Sequence, residues 1–436
     1  MEDLMLKIVS LCKRRGFIYP GSQIYGGLAN TFDFGPLGVE LKKNILASWW
    51  KTFVQDRADI YGLDGGILMN STVWKASGHT EKFIDDLREC EKCHKRFKEE
   101  HVIKKSSGGE AYCPDCGEKL SGLRRFNPMF KTFVGPVENS SSVTYLRPET
   151  AQAIFINFKN IIDTFHPRIP FGIAQVGKAF RNEITLGNFI FRKLEFEQME
   201  IEYFVREKNW KKYFEEWKKK MEKWTINLGI KKSNLHWREH DKKELAHYSE
   251  KTEDLEYNFP FGGFKELYGL AYRTDFDLKT HTKESGKDLR YIDPQTQEKF
   301  FPHIIEPSFG LERTILAILS DAYYEDKKNK RIVLRFKPSM APIKVAIFPL
   351  LANKPKLIKK AKEVRSLLRD NFVVAWDERG NIGKRYYAQD EAGTPYCVTI
   401  DFDSLEKDDV TVRDRDTMKQ ERVKINELIN YLNKKL

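Results

Sequence analysis

Between Phe180 and Phe204 the sequence reads FRNEITLGNFIFRKLEFEQMEIEYF, and charge falls on both faces of any strand drawn through it. The composition is that of two β runs joined at Leu186-Gly187-Asn188, a hairpin turn with glycine in its middle. A half-buried strand should be apolar on one face and polar on the other. Here Arg192, Gln198 and Glu200 share a parity with Leu194 and Phe196, while Glu195 and Glu197 share the other with Phe191 and Met199. Arg181 and Arg192 offer planar, bidentate donors suited to phosphate. Glu183, Glu195, Glu197 and Glu200 could hold an ammonium, an adenine amino group or Mg²⁺, and Phe196 offers a flat face to a base.

A second stretch, Glu306-Pro307-Ser308-Phe309-Gly310-Leu311-Glu312-Arg313, brings two acids, a hydroxyl and an arginine to the start of a helix. Gly310 permits close approach of a ligand, and a helix N-terminus favours negative charge. Structural ion pairs would account for each charge singly but for little else. Together the two stretches ask for a ligand with phosphates, an amine and a purine. One phosphate motif is a decoy. Gly172 to Lys178 has the P-loop spacing, but Ala179 stands where Ser or Thr should hold Mg²⁺ and the interior IAQV is strand-like.

Four of the six cysteines form two pairs, Cys90-x-x-Cys93 and Cys113-x-x-Cys116. The charged opening MEDLMLKIVSLCKRRGF is no secretion signal, so a metal site is expected rather than disulfides. Two such turns complete a closed tetrahedron of thiolates around a structural Zn²⁺. Cys12 and Cys397 lie in apolar surroundings and read as core.

At 436 residues the chain is long enough for two or three domains. Its net charge of +12 favours polyanionic partners, nucleic acid above all, although Lys211–Lys212 and Lys218–Lys220 read individually as solvated helix faces. No apolar run is long enough for a membrane span. Helices are expected over residues 1–16 and 39–53, the latter with Leu41, Ile45, Trp49 and Phe53 along one side and Trp50 beside them. The Gly- and aromatic-rich stretch between them reads as irregular. A helix over Ala151–Asn160, a Lys- and Trp-rich helix over Lys208–Asn227 and a helix over Leu311–Leu319 follow. Lys337 to Pro342 reads as a linker, and alternating strands and helices beyond it argue for a small parallel or mixed sheet of about 100 residues.

The hairpin from Phe180 through Phe196 resembles motif 2 of the class II aminoacyl-tRNA synthetases, and Gly310-Leu311-Glu312-Arg313 resembles motif 3. With GFIYPGSQIYGGLANTFDFGPLGVELK, ILMNSTVWKASGH, YLRPETAQAIF, RTDFDL, EPSFGLER and DERGNIGKRYYAQDEAGTPYCVT, the resemblance is to homodimeric glycyl-tRNA synthetases and covers nearly the whole chain. It implies an α+β catalytic domain built on an antiparallel sheet (residues 1–336), then an α/β anticodon-binding domain (337–436). Residues 85–125 would be an inserted zinc-binding segment and 205–250 a Lys-rich helical insert. It further implies a cytoplasmic homodimer with the helix from Val39 at its interface as motif 1. Glycine would attack the α-phosphate of ATP, and tRNA(Gly) would then accept the glycyl group.

By the same resemblance Arg181, Glu183 and Arg313 are catalytic, with Arg181 on the α-phosphate. Phe196 and Arg313 sandwich the adenine, Arg192 lies near the outer phosphates, and Asn182, Phe191, Glu195, Leu267, Leu311 and Glu312 join the ATP site. Glu266 and Glu306 are the expected Mg²⁺ or ligand-orienting carboxylates. Glycine would meet Glu149, Glu200 and Ser308, with Arg96, Glu197, Gln198, Met199, Pro307 and Gly310 nearby. Acids around a small amine leave no hole for a methyl group, and no amino acid smaller than glycine needs rejecting. Leu194 stands where many relatives carry Arg, which passes any phosphate role there to Arg192 or Lys193. Zinc would order the insert near the tRNA acceptor end. Two rivals are a non-charging nucleic-acid-binding paralogue and a zinc-dependent RNA-binding protein. The first should have lost Arg181, Arg313 or the acids, and the second would not need glutamates beside Arg181.

Overall fold

The computed structural model describes residues 2–99, 102–104, 111–184 and 187–436. Its larger sheet has seven strands, numbered here in chain order: β1 (Ile60–Leu63), β2 (Phe171–Phe180), β3 (Glu195–Val205), β4 (Leu235–Glu239), β5 (Lys251–Phe259), β6 (Gly263–Thr274) and β7 (His303–Gly310). Their spatial order is β4-β5-β6-β7-β3-β2-β1, antiparallel throughout except where β1 runs parallel to β2. Side chains alternate across a strand, so β3 turns Met199, Ile201 and Tyr203 into the main core and Gln198, Glu200 and Glu202 to the opposite face. The core face is closed by aromatics. Phe309 of β7 packs against Phe53 at 5.3 Å and Trp224 at 5.4 Å between ring centres, and Phe53 meets Trp217 at 5.8 Å.

Helices at residues 2–15, 36–50, 151–165, 210–227 and 311–322 match the apolar periodicities. Leu41, Ile45, Trp49 and Phe53 are buried in this chain's own core, so the wide apolar side of helix Pro36–Trp50 needs no second subunit to explain it. Trp50 packs over Gly62, where an added Cβ would fall 2.6 Å from its ring.

Several expectations are corrected. The charged hairpin is formed by β2 and β3, paired from Phe171↔Phe204 to Phe180↔Glu195, not by strands running to a turn at Leu186-Gly187-Asn188. The chain leaves the sheet after Phe180 and returns at Glu195, with a 3-10 turn at Phe189–Phe191 and left-handed backbone at Asn188 and Phe189; Leu186 lies outside the described residues. The stretch expected to be irregular forms a short hairpin, Ile18–Pro20 with Phe32–Phe34. Residues 205–250 are helical only in part. Helix Trp210–Asn227 buries Phe214, Trp217, Met221 and Trp224 in the main core, and β4 then supplies the sheet edge.

The expected linker is fastened to the first domain: Met340 and Ala341 are buried, and Asn44 donates from Nδ2 to both of their carbonyls at 3.2 and 3.0 Å. Beyond it stands a five-stranded mixed sheet in which Val345–Pro349 lies between Val374–Trp376 and Tyr396–Ile400 and runs parallel to both.

The P-loop decoy lies within β2, and its Gly177 has a packing reason. The buried Arg147 guanidinium crosses the strand there, donating to the Lys178 carbonyl at 2.7 Å and to the Gly65 carbonyl at 2.7 Å. A Cβ on Gly177 would fall 2.1 Å from Arg147 Nη2. Gly177→Ala should therefore lower stability by about 1–3 kcal/mol in denaturant titration. An unchanged midpoint would contradict this packing.

Candidate active site

The polar face of β3, β6 and β7 floors a cavity of about 400 Å³. At one end Arg181 and Arg313 each lie against an aromatic ring. The Arg181 guanidinium is 5.4 Å from the Phe196 ring centre and 5.5 Å from Phe83, and its Nε donates to the Pro148 carbonyl at 3.0 Å. Arg313, in the first turn of helix Leu311–Ala322, lies 4.5 Å from the Phe191 ring centre. Its Nη1 meets the Glu266 carboxylate at 2.9 Å, and this charge holds the Glu266 carboxyl below its ordinary range against the opposing effect of burial. That helix starts at Gly310, on the cavity wall, without a side-chain cap. Arg192, Glu183 and Leu267 complete this end of the wall.

At the other end Glu149, Gln198, Glu200, Glu306 and Ser308 converge. Glu149 sits 3.3 Å from His79 Nε2 and accepts from Gln152 Nε2 at 2.9 Å. Burial alone would raise its carboxyl, but His79 and Arg273 outweigh that effect and hold it far below the usual range. Thr150 donates its hydroxyl to Glu200. Arg273 is fully buried; it donates to Glu306 at 3.0 Å and to both oxygens of Asp277 at 2.9 and 3.0 Å. Burial pushes the Glu306 carboxyl well up. Arg273 opposes this, and the charges of Glu200 and Glu149 add to it.

Glu266 and Glu306 do not share one cation. Ala271 is the β6 partner of Glu306, and Glu266 lies five residues away along β6 (271 − 266), a strand distance of roughly 17 Å. Mg²⁺ needs oxygens at about 2.1 Å and keeps several waters; Glu266 is half-exposed and meets Arg313, whereas Glu306 is buried and meets Arg273.

Other expected residues lie off the cavity wall. Met199 and Leu311 are fully buried in the main core, and Pro307 stands opposite Leu270. Glu195 and Glu197 are bonded to Lys178 and Lys42. Asn182 donates its backbone N–H to Pro128. Glu312 reaches the wall, but its oxygens are taken by Lys193 Nζ at 3.1 Å and the Glu197 backbone N–H at 3.0 Å. Both stand-ins for the arginine replaced by Leu194 line the cavity, but Lys193 is committed to Glu312 there. Arg96 pairs with Glu89 at 3.0 Å outside the cavity; Lys98, two residues on, lines it instead and is 2.8 Å from Asp85.

The sequence reading also missed His79, Tyr248, Arg273 and the His240–Asp254 pair. The i,i+4 spacing of Arg273 and Asp277 within RTDFDL was the available signal for one of them.

The four cysteines Cys90, Cys93, Cys113 and Cys116 bring their sulfurs within 4.8 Å of one another. Two of the separations, Cys90–Cys116 at 3.5 Å and Cys93–Cys113 at 3.7 Å, fit the tetrahedron edge of roughly 3.8 Å set by Zn–S bonds of about 2.3 Å. Strand Arg96–Lys98 follows directly, so the same turn that gathers thiolates positions Lys98. Cys12 and Cys397 are buried, and burial raises both thiols well above their ordinary range, as suits core residues.

Asp254 at the rim lies 2.7 Å from His240 Nε2. Burial first, then repulsion from Glu266, pushes its carboxyl from 3.8 up to about 6, with His240 acting against them. A carboxyl raised on folding contributes its stability fully below about pH 4 and loses it as the pH climbs through about 6. Asp254→Asn cannot titrate. Its melting temperature relative to the parent should therefore rise by about 2–5 °C between pH 4 and pH 7. Parallel profiles would contradict the shift.

Residues 134–322 match the tRNA synthetase class II core domain (G, H, P, S and T), and residues 344–435 match an anticodon binding domain. The glycine--tRNA ligase of Clostridium kluyveri is 51% identical over 465 aligned residues, covering 100% of this chain and 99% of the relative. That of Thermobifida fusca is 50% identical, covering 100% and 98%. Among solved structures, the prolyl-tRNA synthetase of Cryptosporidium parvum, complexed with halofuginone and AMPPNP, aligns with a TM-score of 0.68 at 15% identity over 98% of this chain and 74% of its own, a likeness of fold. The chain belongs to the glycine--tRNA ligase family of class II aminoacyl-tRNA synthetases.

Proposed function

We propose that this chain attaches glycine to tRNA(Gly) through a glycyl-adenylate, and that the 400 Å³ cavity is where the adenylate forms. The observation that carries this reading is the polarity of the cavity: arginines at one end and buried carboxylates at the other, in a chain half identical to glycine--tRNA ligases. ATP would place its phosphates at Arg181 and Arg192, with its adenine between the Phe196 and Arg313 surfaces. Class II synthetases use Mg²⁺, which neutralises the outer phosphates; Glu266 would hold it. Glycine's ammonium would sit among Glu149, Glu200, Glu306 and Ser308. Its carboxylate is thereby presented to the α-phosphate, where positioning and charge neutralisation by Arg181 carry the displacement.

The C-terminal mixed sheet would read the anticodon, in keeping with the domain match and the net charge of +12. Ile24, Tyr25 and Leu28 are 88%, 86% and 60% exposed, a surface that suits a homodimer. No helix among the described residues is long and apolar enough to cross a membrane, and a cytoplasmic location suits protein synthesis.

Amino-acid-dependent ATP–pyrophosphate exchange across the twenty amino acids tests the reading. Exchange is expected with glycine, and with alanine at least about 100-fold less efficiently. No exchange with glycine, or equal exchange with alanine, would sink it. Arg181→Ala should lower kcat/KM for exchange by about 100-fold or more while leaving the melting temperature within a few degrees; wild-type exchange would remove Arg181 from the phosphate site.

Zinc at the four cysteines would order the strand carrying Lys98. Chelation should therefore raise the KM for ATP in the exchange assay as well as weaken tRNA charging. Loss of charging with unchanged exchange kinetics would confine the metal's role to tRNA.

A further inference from the structure

Three carboxylates meet at the closed end of the cavity: an oxygen each from Glu200, Glu202 and Glu306 lies within 4.8 Å of the others. Only Glu200 and Glu306 reach the cavity wall. Glu202 lies one step deeper on the same face of β3 and is 0% exposed. It is placed there by register. Glu200 pairs with Ser308 and Tyr203 with Ile305 on β7, so Glu202 falls opposite Glu306 (200 + 308 = 202 + 306).

The three differ in their partners. Glu306 accepts from Arg273 and Glu200 from Thr150, whereas neither oxygen of Glu202 has a hydrogen-bond partner among the described residues. On its other neighbour, β2, Glu202 faces Ile173, part of an apolar cluster with Phe171, Phe204 and Ile304. Arg273 and Asp277 are the further charges that act on it, and they are already bonded to each other. An ionised Glu202 would add a third negative charge to a buried cluster whose one neighbouring arginine, Arg273, is already bonded to Asp277 and Glu306, which is unfavourable. As a neutral acid it gains one donor, with oxygens of Glu200 and Glu306 within 4.8 Å as candidate acceptors.

We propose that Glu202 is a positioning residue for the amine site: it remains a neutral carboxylic acid and donates its proton to a carboxylate oxygen of Glu200 or Glu306, holding that acceptor turned toward the substrate ammonium. The proton stays on Glu202 during the reaction. Its part is to fix one of the two acceptors that contact the amine and so to keep the space beside it too narrow for a side chain on the substrate α-carbon. This rests on the assignment of glycine's ammonium to Glu200 and Glu306.

The test sets Glu202→Leu beside Glu202→Gln. Leucine keeps apolar volume but removes the donor; glutamine retains a donor and mimics the neutral acid. Glu202→Leu is expected to raise the KM for glycine in pyrophosphate exchange by about tenfold or more, with the KM for ATP unchanged. Glu202→Gln should restore the glycine KM to within about threefold of the parent. The infrared difference spectrum of parent minus Glu202→Gln at neutral pH should show the C=O band of a protonated carboxylic acid that shifts down in D₂O.

A Glu202→Gln variant as impaired as Glu202→Leu would overturn the proposal by showing that the charge is needed. Absence of the protonated band would overturn it independently of activity, even if Glu202→Leu fails to fold. A protonated band in a parent enzyme that shows no glycine-dependent exchange would instead defeat the reading of function and leave the neutral acid standing.

Discussion

The acidic end of the cavity exists because one guanidinium is buried beneath it. Arg273 has no exposed surface, yet it binds Asp277 through two nitrogens and Glu306 through a third, and its face lies 3.7 Å from the Tyr248 ring centre. The alternation along β6 puts it there: Tyr268, Leu270 and Tyr272 face the core, and Arg273 follows Gly269 and Ala271 onto the acidic face. The register with β7 shifts just beyond it, where Thr274 has φ of +58°. Without the cation, carboxylates on two elements would be stranded in a dry interior, a cost of about 3–5 kcal/mol for a broken buried pair.

The sheet separates stability from chemistry by its two faces. Phe309 anchors the aromatic core while Ser308 and Gly310, its neighbours on the same strand, line the cavity. Met199 and Ile201 do for β3 what Phe309 does for β7, leaving Gln198 and Glu200 to the cavity side. Rigid strands packed on one face can therefore hold opposite charges about one substrate length apart on the other. The arginines come from the loop after β2 and from the first turn of helix Leu311–Ala322, where backbone N–H groups also favour phosphate.

Much of this was legible in the residues because periodicity and motif spacing are local. The helices over residues 151–165 and 210–227 followed from apolar spacing, and the cysteine turns followed from theirs. The charged hairpin was correctly seen as unfit for ordinary burial, but its geometry was misread: charges assigned to two strands belong in part to the loop 181–194. Parity on β3 alone would have pointed to Glu202, which follows Gln198 and Glu200 at intervals of two. Arg273 was hidden by its distance in sequence from Glu306, and His79 by its distance from Glu149. Gly177 looked like phosphate chemistry and was a steric allowance for Arg147. Non-local packing set all three, and no short window of sequence contains it.

The central claim is that the two-sided charge of β3 and its loop serves one bipolar ligand. A crystal structure of the protein with a non-hydrolysable glycyl-adenylate analogue tests it most directly. The account predicts the analogue's ammonium within hydrogen-bonding distance of Glu200 and Glu306, and the group replacing its phosphate on Arg181. An amine bound instead near Glu195 and Glu197, on the far side of β3, or an adenine that touches neither Phe196 nor Arg313, would contradict it.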